Sequence, residues 1–310
     1  EGCLQKALAA LFVLFQDVPR DYTIWRIWLK MKIEFTKMHG IGNDYIYINC
    51  MQGMQFDPSD LSVKMSARRF SVGADGVVCI CPSQTADARM RMFNADGSEG
   101  TMCGNAARCI GKYLYERSIV KKDVITLETL SGIKTLYLSI HAGKVNSISV
   151  DMGVPDFSPK AIPAAKELID SPVIVGGRVW RVTALSVGNP HAVIFVDDPY
   201  TIDIEKLGPL FENNALFPER INTEFVKICT DTELIMRVWE RGSGETWACG
   251  TGACAVVSAA VKLGICPGNT PVTVHLRGGD LRILCTDHIT MTGSAQFAYD
   301  GVYEYDNSIK

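Results

Sequence analysis

Two cysteines occupy matching settings, Glu99-Gly-Thr-Met-Cys103-Gly-Asn-Ala-Ala-Arg108 and Glu245-Thr-Trp-Ala-Cys249-Gly-Thr-Gly-Ala-Cys254. In each, a glutamate stands four residues before the cysteine, and glycine and a small polar residue follow it. An apolar, helix-favouring run then begins, 110–115 in the first copy and 255–263 in the second. A cysteine just before a helix shares a small space with the first free N–H groups. The partial positive charge of that helix end favours the thiolate. Two thiols in matching settings suit a two-base inversion: one, as thiolate, takes a Cα proton, and the other, as thiol, returns a proton to the opposite face. Gly104 and Gly250 leave helix-end N–H groups free to hold the carboxylate into which negative charge flows as the Cα–H bond breaks. Such chemistry calls for neither metal nor pyridoxal phosphate.

The elements that must position these thiols are duplicated too. The cysteines are 146 residues apart, and the same offset carries Asn43 of Gly42-Asn43 onto Asn189 of Gly188-Asn189. It also carries Asn94 onto Glu240 and Gly76 onto Asn222. A period so far above the 20–50 residues of solenoid repeats means two pseudo-equivalent halves. From Met31 the pattern gives many strands and few helices, with strands at 32–37 and 45–49 about the 40–44 turn, a helix at 58–70, and strands at 77–80 and 89–93 before the first cysteine. Strands at 124–128, 135–140 and 145–150 follow it. The second half repeats this order: strands 181–186 and 191–196, a helix near 202–213, strands 224–229 and 234–239, the Cys249 helix and three short β-rich runs. The expected fold is α+β, two pseudo-symmetric domains, each a curved, mostly antiparallel sheet wrapped around a central apolar helix. The domains are placed at 31–150 and 151–292, with the last strand, 293–310, able to return to the first. Residues 1–30 fall outside the repeat and read as an extension outside the fold, the rival being a short amphipathic partner-binding helix. Their apolar run, 7–15, is shorter than the roughly 20 residues that span a bilayer.

A net charge of −3 with no basic block argues against nucleic acid as a partner. Eleven cysteines, an odd number with no C-x-x-C pair, fit a reducing cytosol better than a disulfide framework, and no Cys/His cluster has zinc-ligand spacing. Of the other thiols, Cys50, Cys79, Cys81, Cys109, Cys229, Cys254, Cys266 and Cys285 read as core or surface groups. His39 and His191 read as loop-orienting residues, Arg68-Arg69 and Lys121-Lys122 as solvated faces, and Asp75 as a stabiliser of the 73–76 turn. Gly40-x-Gly42 and Gly242-x-Gly244 lack the third glycine of a dinucleotide fingerprint.

Taken together, Lys37-Met-His-Gly-Ile-Gly-Asn43-Asp44, Phe93-Asn94-Ala-Asp-Gly-Ser-Glu99, Cys103-Gly-Asn105-Ala-Ala-Arg108, Gly188-Asn189-Pro-His191, Pro218-Glu219-Arg220-Ile-Asn222 and Glu240-Arg241 through Cys249-Gly-Thr-Gly-Ala resemble the diaminopimelate epimerase family. The resemblance runs from about Met31 to the C-terminus. It implies a cofactor-independent, cytoplasmic, homodimeric two-cysteine enzyme that interconverts LL- and meso-diaminopimelate in lysine and cell-wall precursor synthesis. By position, Cys103 and Cys249 become the acid/base thiols. The backbones of Gly104, Asn105, Gly250 and Thr251 would hold the reacting carboxylate, and Asn43 the reacting end. Asn94, Asn189, Asn222, Glu240 and Arg241 would hold the distal head, whose carboxylate suits Arg241 and whose ammonium suits Glu240. Gly76 stands where many relatives have a glutamine, and Ala106 where C-G-N-G is commoner. Two other readings stay open: a cofactor-free racemase of the same fold acting on another amino acid, and a redox protein cycling a Cys103–Cys249 disulfide.

Overall fold

The computed structural model describes residues 30–306. The expectation of an N-terminal extension therefore falls, apart from Lys30, on residues outside that range. By compactness the chain divides into two units, Glu1–Ile33 with Val302–Lys310, and Glu34–Gly301. The described part of the first consists of strand ends; the second holds both cysteine helices.

Strand β1 (Lys30–Gly40) turns through Ile41-Gly42 into β2 (Asn43–Asn49), with Gly40 opposite Asn43. Both turn residues have positive φ, 51° and 87°, which twists the hairpin in the sense that strands prefer. Ile41 is an unusual residue there, and its buried side chain holds it in place. Helix α1 (Pro58–Ser66) starts with Asp57 accepting the Ser59 N–H at 2.9 Å and proline in the first turn. It ends four residues short of the expected 70, because Ala67 turns extended (ψ 101°) and its carbonyl accepts Ser71 N–H instead. Strands β3 (Gly76–Cys81), β4 (Ala88–Asn94) and β5 (Glu99–Gly100) precede α2 (Gly104–Glu116). Strands β6 (Val124–Thr129), β7 (Gly132–His141) and β8 (Lys144–Gly153) close the half.

The second half contains β9 (Ser171–Val175), β10 (Arg178–Ser186), β11 (Pro190–Phe195), a 3-10 turn, α3 (Ile204–Glu212), β12 (Asn222–Thr230), β13 (Glu233–Glu240) and β14 (Gly244–Thr246). After α4 (Gly250–Lys262) come β15 (Val272–Leu276), β16 (Gly279–Cys285), β17 (Ile289–Gly293) and β18 (Gln296–Asp306). The offset of 146 maps α1 onto α3 and α2 onto α4 end to end. It maps pairings as well: Tyr45 opposite Gly76 becomes His191 opposite Asn222, and Phe93 opposite Glu99 becomes Trp239 opposite Glu245. The fold is α+β, as expected, with the parallel pairs β2–β3, β4–β6, β11–β12 and β13–β15 in an otherwise antiparallel arrangement.

Each central helix is buried along nearly its whole length, from Gly104 to Leu114 and from Gly252 to Ala260. Fully burying a Val, Leu or Ile stabilises by about 1.5–3 kcal/mol, so these helices are fixed by what surrounds them more than by intrinsic propensity. Strands β8 and β17 pair antiparallel, Val150 opposite Met291, and join the halves. Near the C-terminus Tyr299 meets Phe35 edge-on at 6.1 Å, and Asp300 accepts the Thr36 hydroxyl at 2.6 Å. Among the described residues no helix is long and apolar enough to cross a membrane.

Candidate active site

Both cysteines sit in extended backbone at the first position before their helices, and their carbonyls accept the N–H groups of Ala107 and Ala253 at 2.9 and 3.0 Å. The glutamate four residues earlier explains how they get there. Glu99 takes a two-pronged bond from Arg91 at 2.8 and 2.9 Å; Glu245 takes Arg237 at 2.7 Å and Arg277 at 2.9 Å. Arg91 and Arg237 are again 146 residues apart. Each ion pair clamps the short hairpin whose far arm leads into the cysteine.

The two helix starts converge. Asn105 Nδ2 donates to the carbonyl of Ala248 at 3.3 Å, tying the first start to the second. One side chain, Met291, lies against both glycines: a Cβ added at Gly104 would stand 2.5 Å from its Cε, and one at Gly250 2.8 Å from its Sδ. Only residues without a side chain allow this approach. A cleft of about 1280 Å³ opens over the junction. Eleven of the twelve residues singled out from the sequence line it: Cys103, Gly104 and Asn105, Cys249, Gly250 and Thr251, and Asn43, Asn94, Asn189, Glu240 and Arg241. Asn222 does not. It is buried, donates to Pro190 O at 2.7 Å and accepts the Arg241 N–H at 2.9 Å, so it holds two strands together behind the wall.

The two sulfurs are served differently. Cys249 Sγ accepts the Gly252 N–H at 3.3 Å and lies 3.5 Å from the Thr251 hydroxyl. Cys103 Sγ donates to Asn43 Oδ1 at 3.4 Å. The Asn43 amide can turn only one way, because its Nδ2 donates to Asp75 Oδ2 at 2.8 Å. Asp75 is held in turn by Asp44 N–H at 3.1 Å and by Arg68 at 2.8 Å, and Arg68 also reaches Asp44 at 2.6 Å. Arg68, read from the sequence as a solvated charge, is 58% exposed and stands at the cleft while it pairs with Asp44 and Asp75. Asp75 does more than hold its turn. On the other wall, His191 Nε2 lies 3.0 Å from Asn189 Oδ1, and its Nδ1 lies 2.7 Å from Glu224 Oε1, with both side chains fully buried. His191 orients a loop residue, as its sequence setting suggested. Glu224, which nothing in the sequence singled out, lies beneath Gly252, where an added Cβ would stand 2.8 Å from its Oε1.

Burial pushes the Cys103 thiol up to about 11, against the pull of the Asn105 and Ala106 N–H groups. It pushes Cys249 well above the usual thiol range, and Glu240 and Glu224 push the same way. The expected bias of the helix ends toward thiolate is therefore present but outweighed: the protein packed around each sulfur costs the thiolate more than a few N–H dipoles return. Glu240, whose own carboxyl is raised by burial, hydrogen-bonds Thr246 Oγ1 and is lowered by a hydrogen bond from Cys249. It therefore stands at the thiols. Arg241 donates through its guanidinium to Glu219 O at 2.9 Å. Gly76 leaves no room for a glutamine: a Cβ there would stand 2.0 Å from Phe93 O. Among the described residues no three His, Cys, Asp or Glu side chains are placed to hold a metal ion.

The fold is shared with solved structures of several kinds, among them a PhzF-family phenazine biosynthesis protein from Bacillus anthracis, at a TM-score of 0.62 and 16% identity over 88% of this chain and 99% of that one. A hydroxyproline epimerase from Agrobacterium vitis matches with a TM-score of 0.65 at 14% identity, over 91% of this chain and 94% of its own. A model of the family described as diaminopimelate epimerase matches residues 35–158 and 183–298, and the chain belongs to that family. It is 49% identical over 282 residues to a diaminopimelate epimerase of Agathobacter rectalis, covering 87% of this chain and 98% of the relative. It is 50% identical over 275 residues to one of Acetivibrio thermocellus, covering 87% and 98%.

Proposed function

We propose that this chain epimerises LL-2,6-diaminopimelate to the meso form with Cys103 and Cys249 as the two acid/base groups. The observation that carries this reading is the meeting of two duplicated helix starts, bridged by Asn105 and Met291, each with a cysteine facing the same cleft. The first N–H groups of an α-helix have no partner within the helix, so four backbone positions, Gly104, Asn105, Gly250 and Thr251, converge on one carboxylate from both sides. One thiolate takes the Cα proton, the electron pair spreads into that carboxylate, and the opposite thiol protonates the other face. Preorganised donors of this kind are worth about 2.7–4 kcal/mol each in the barrier. Charge on the substrate grows where the amides already point.

Since both thiols are held protonated, the base must form as substrate arrives. The ammonium beside the reacting carbon offsets Glu240, which otherwise opposes a thiolate at either cysteine. Glu240, expected from the sequence at the distal head, is reassigned to this ammonium because its charge acts on both thiols; Asn94, Asn189 and Arg241 keep the distal head. Asn222 supports the clamp through the Arg241 backbone. The halves, 31–150 and 151–292, act as the two domains that bring one thiol each. We assign the enzyme to lysine and peptidoglycan precursor synthesis in the cytoplasm, consistent with ten described cysteines that are all free. We infer a homodimer; the exposed apolar face of β6–β7 (Val124, Ile133, Tyr137) supports it, and sedimentation tests it.

The test is incubation with LL-diaminopimelate in D₂O under reductant. Meso product should appear with solvent deuterium at one carbon only. Cys103→Ala and Cys249→Ala should each abolish turnover while leaving a folded protein; near-normal turnover by either variant removes the two-thiol scheme.

A further inference from the structure

We propose that Arg108 is a positioning residue acting through the two helix starts: an uncompensated cation that draws negative charge to the floor of the cleft. The inference rests on the two-thiol reading above. Arg108 lies on α2, five residues after Cys103, and is fully buried. Its Nε donates to Ser294 O at 3.2 Å and its Nη1 reaches the Met291 sulfur at 3.6 Å, while Nη2 has no hydrogen-bond partner. A Cβ added at Gly40 would stand 3.1 Å from that Nη2 and 3.2 Å from the carbonyl of Asn105, which places the free amino group beside the first helix start. Met291 carries the contact onward to Gly250 at the second. The guanidinium therefore fills the joint under both.

The groups that act on Arg108 most strongly are Cys109 of its own helix, Cys103, Tyr47 from β2 and Cys254 from α4, none of them a carboxylate. Among the described residues it forms no ion pair with Asp or Glu. A buried cation without a partner costs stability, and an apolar side chain of similar volume would be as good or better for the fold. The cost is offset when an anion arrives above it. Glu240 repels the Cys103 thiolate, and Arg108 attracts it. Tyr45 and Tyr47 on β2 also lie within electrostatic reach of that thiol.

The experiment compares Arg108→Lys, Arg108→Gln and Arg108→Met. The first keeps the charge, the second keeps polar contacts without charge, and the third keeps volume alone. Two readouts apply: turnover of LL-diaminopimelate, and the pH profile of Cys103 alkylation by iodoacetamide in a Cys249→Ala background, followed by peptide mapping. Lys should hold kcat/KM within about threefold of the parent; Gln and Met should lose about tenfold or more, as the alkylation midpoint moves up by about one pH unit. The Met variant should melt no lower than the parent. Equal loss by Lys and Gln, or an unmoved alkylation profile in Gln, would overturn the proposal. Should Met fail to fold, the Lys and Gln pair decides it. Because alkylation needs no substrate, a parent inactive on diaminopimelate whose profile still shifts would sink the assigned reaction and leave the role of Arg108 supported.

Discussion

At the level of single residues, the two asparagines related by the repeat are held by unlike partners. Asn43 is locked by a carboxylate and Asn189 by a buried imidazole that rests on Glu224. An amide free to rotate would offer Cys103 an NH₂ group as often as a carbonyl, and the thiol would lose its acceptor. Asp75→Asn can still present an oxygen to Asn43 Nδ2 and should retain most activity. Asp75→Ala should lower kcat by about tenfold, the order of one charge-assisted hydrogen bond. Steady-state rates for the two variants check this, and equal loss would show that Asp75 serves only its turn. Neither Glu224 nor the role of Asp75 was legible in the sequence. Alternation along a strand says which face a side chain takes, but not which side chain from a strand some 30 residues away will meet it.

For the elements, the outcome differs. The cysteine helices could be placed because glycine and small residues ahead of an apolar run mark a helix start; both begin at the glycine after the cysteine, six and five residues before the apolar runs, and end within a residue of them. The end of α1 was missed because Ala67-Arg68-Arg69 are good helix formers; tertiary bonds from Arg68 to Asp44 and Asp75 override that preference. Strand β9 was missed as well: Ser171-Pro172 reads as a turn, and the local hairpin signal of Gly176-Gly177, which closes β9 onto β10, was passed over. The glycines separate backbone limits from side-chain limits. Gly76→Ala meets the Phe93 carbonyl, which cannot yield, and should cost about 3 kcal/mol or prevent folding. Gly104→Ala meets only the flexible end of Met291, and should cost less stability while lowering turnover. Thermal melts and rates measured side by side distinguish the two outcomes.

For the molecule as a whole, the buried thiols set an alkaline limit. Burial pushes Cys103, Cys109 and Cys266 up to about 11, and Cys50, through its contact with Cys79, up to about 12. In the unfolded chain these thiols titrate near 9.0. Between those values the folded protein binds more protons than the unfolded one. The stabilisation is therefore complete below pH 9 and is lost as pH rises through about 11–12, at about 1.4 kcal/mol per pH unit for each thiol. Melting temperature should be level from pH 7 to 8.5 and fall steeply beyond 9. A flat profile to pH 10.5 would mean that burial does not hold these thiols above their ordinary range.

Joining the duplicated halves in one polypeptide has a further result. Two identical subunits around a dyad would have to surround both faces of a stereocentre alike, which suits mirror-image ligands and nothing else. Fusion frees each copy to mutate alone, as the carboxylate on one wall and the imidazole on the other record. A ligand with a second, unreactive head is lopsided, and only a binding site that has lost its own symmetry can tell its two ends apart.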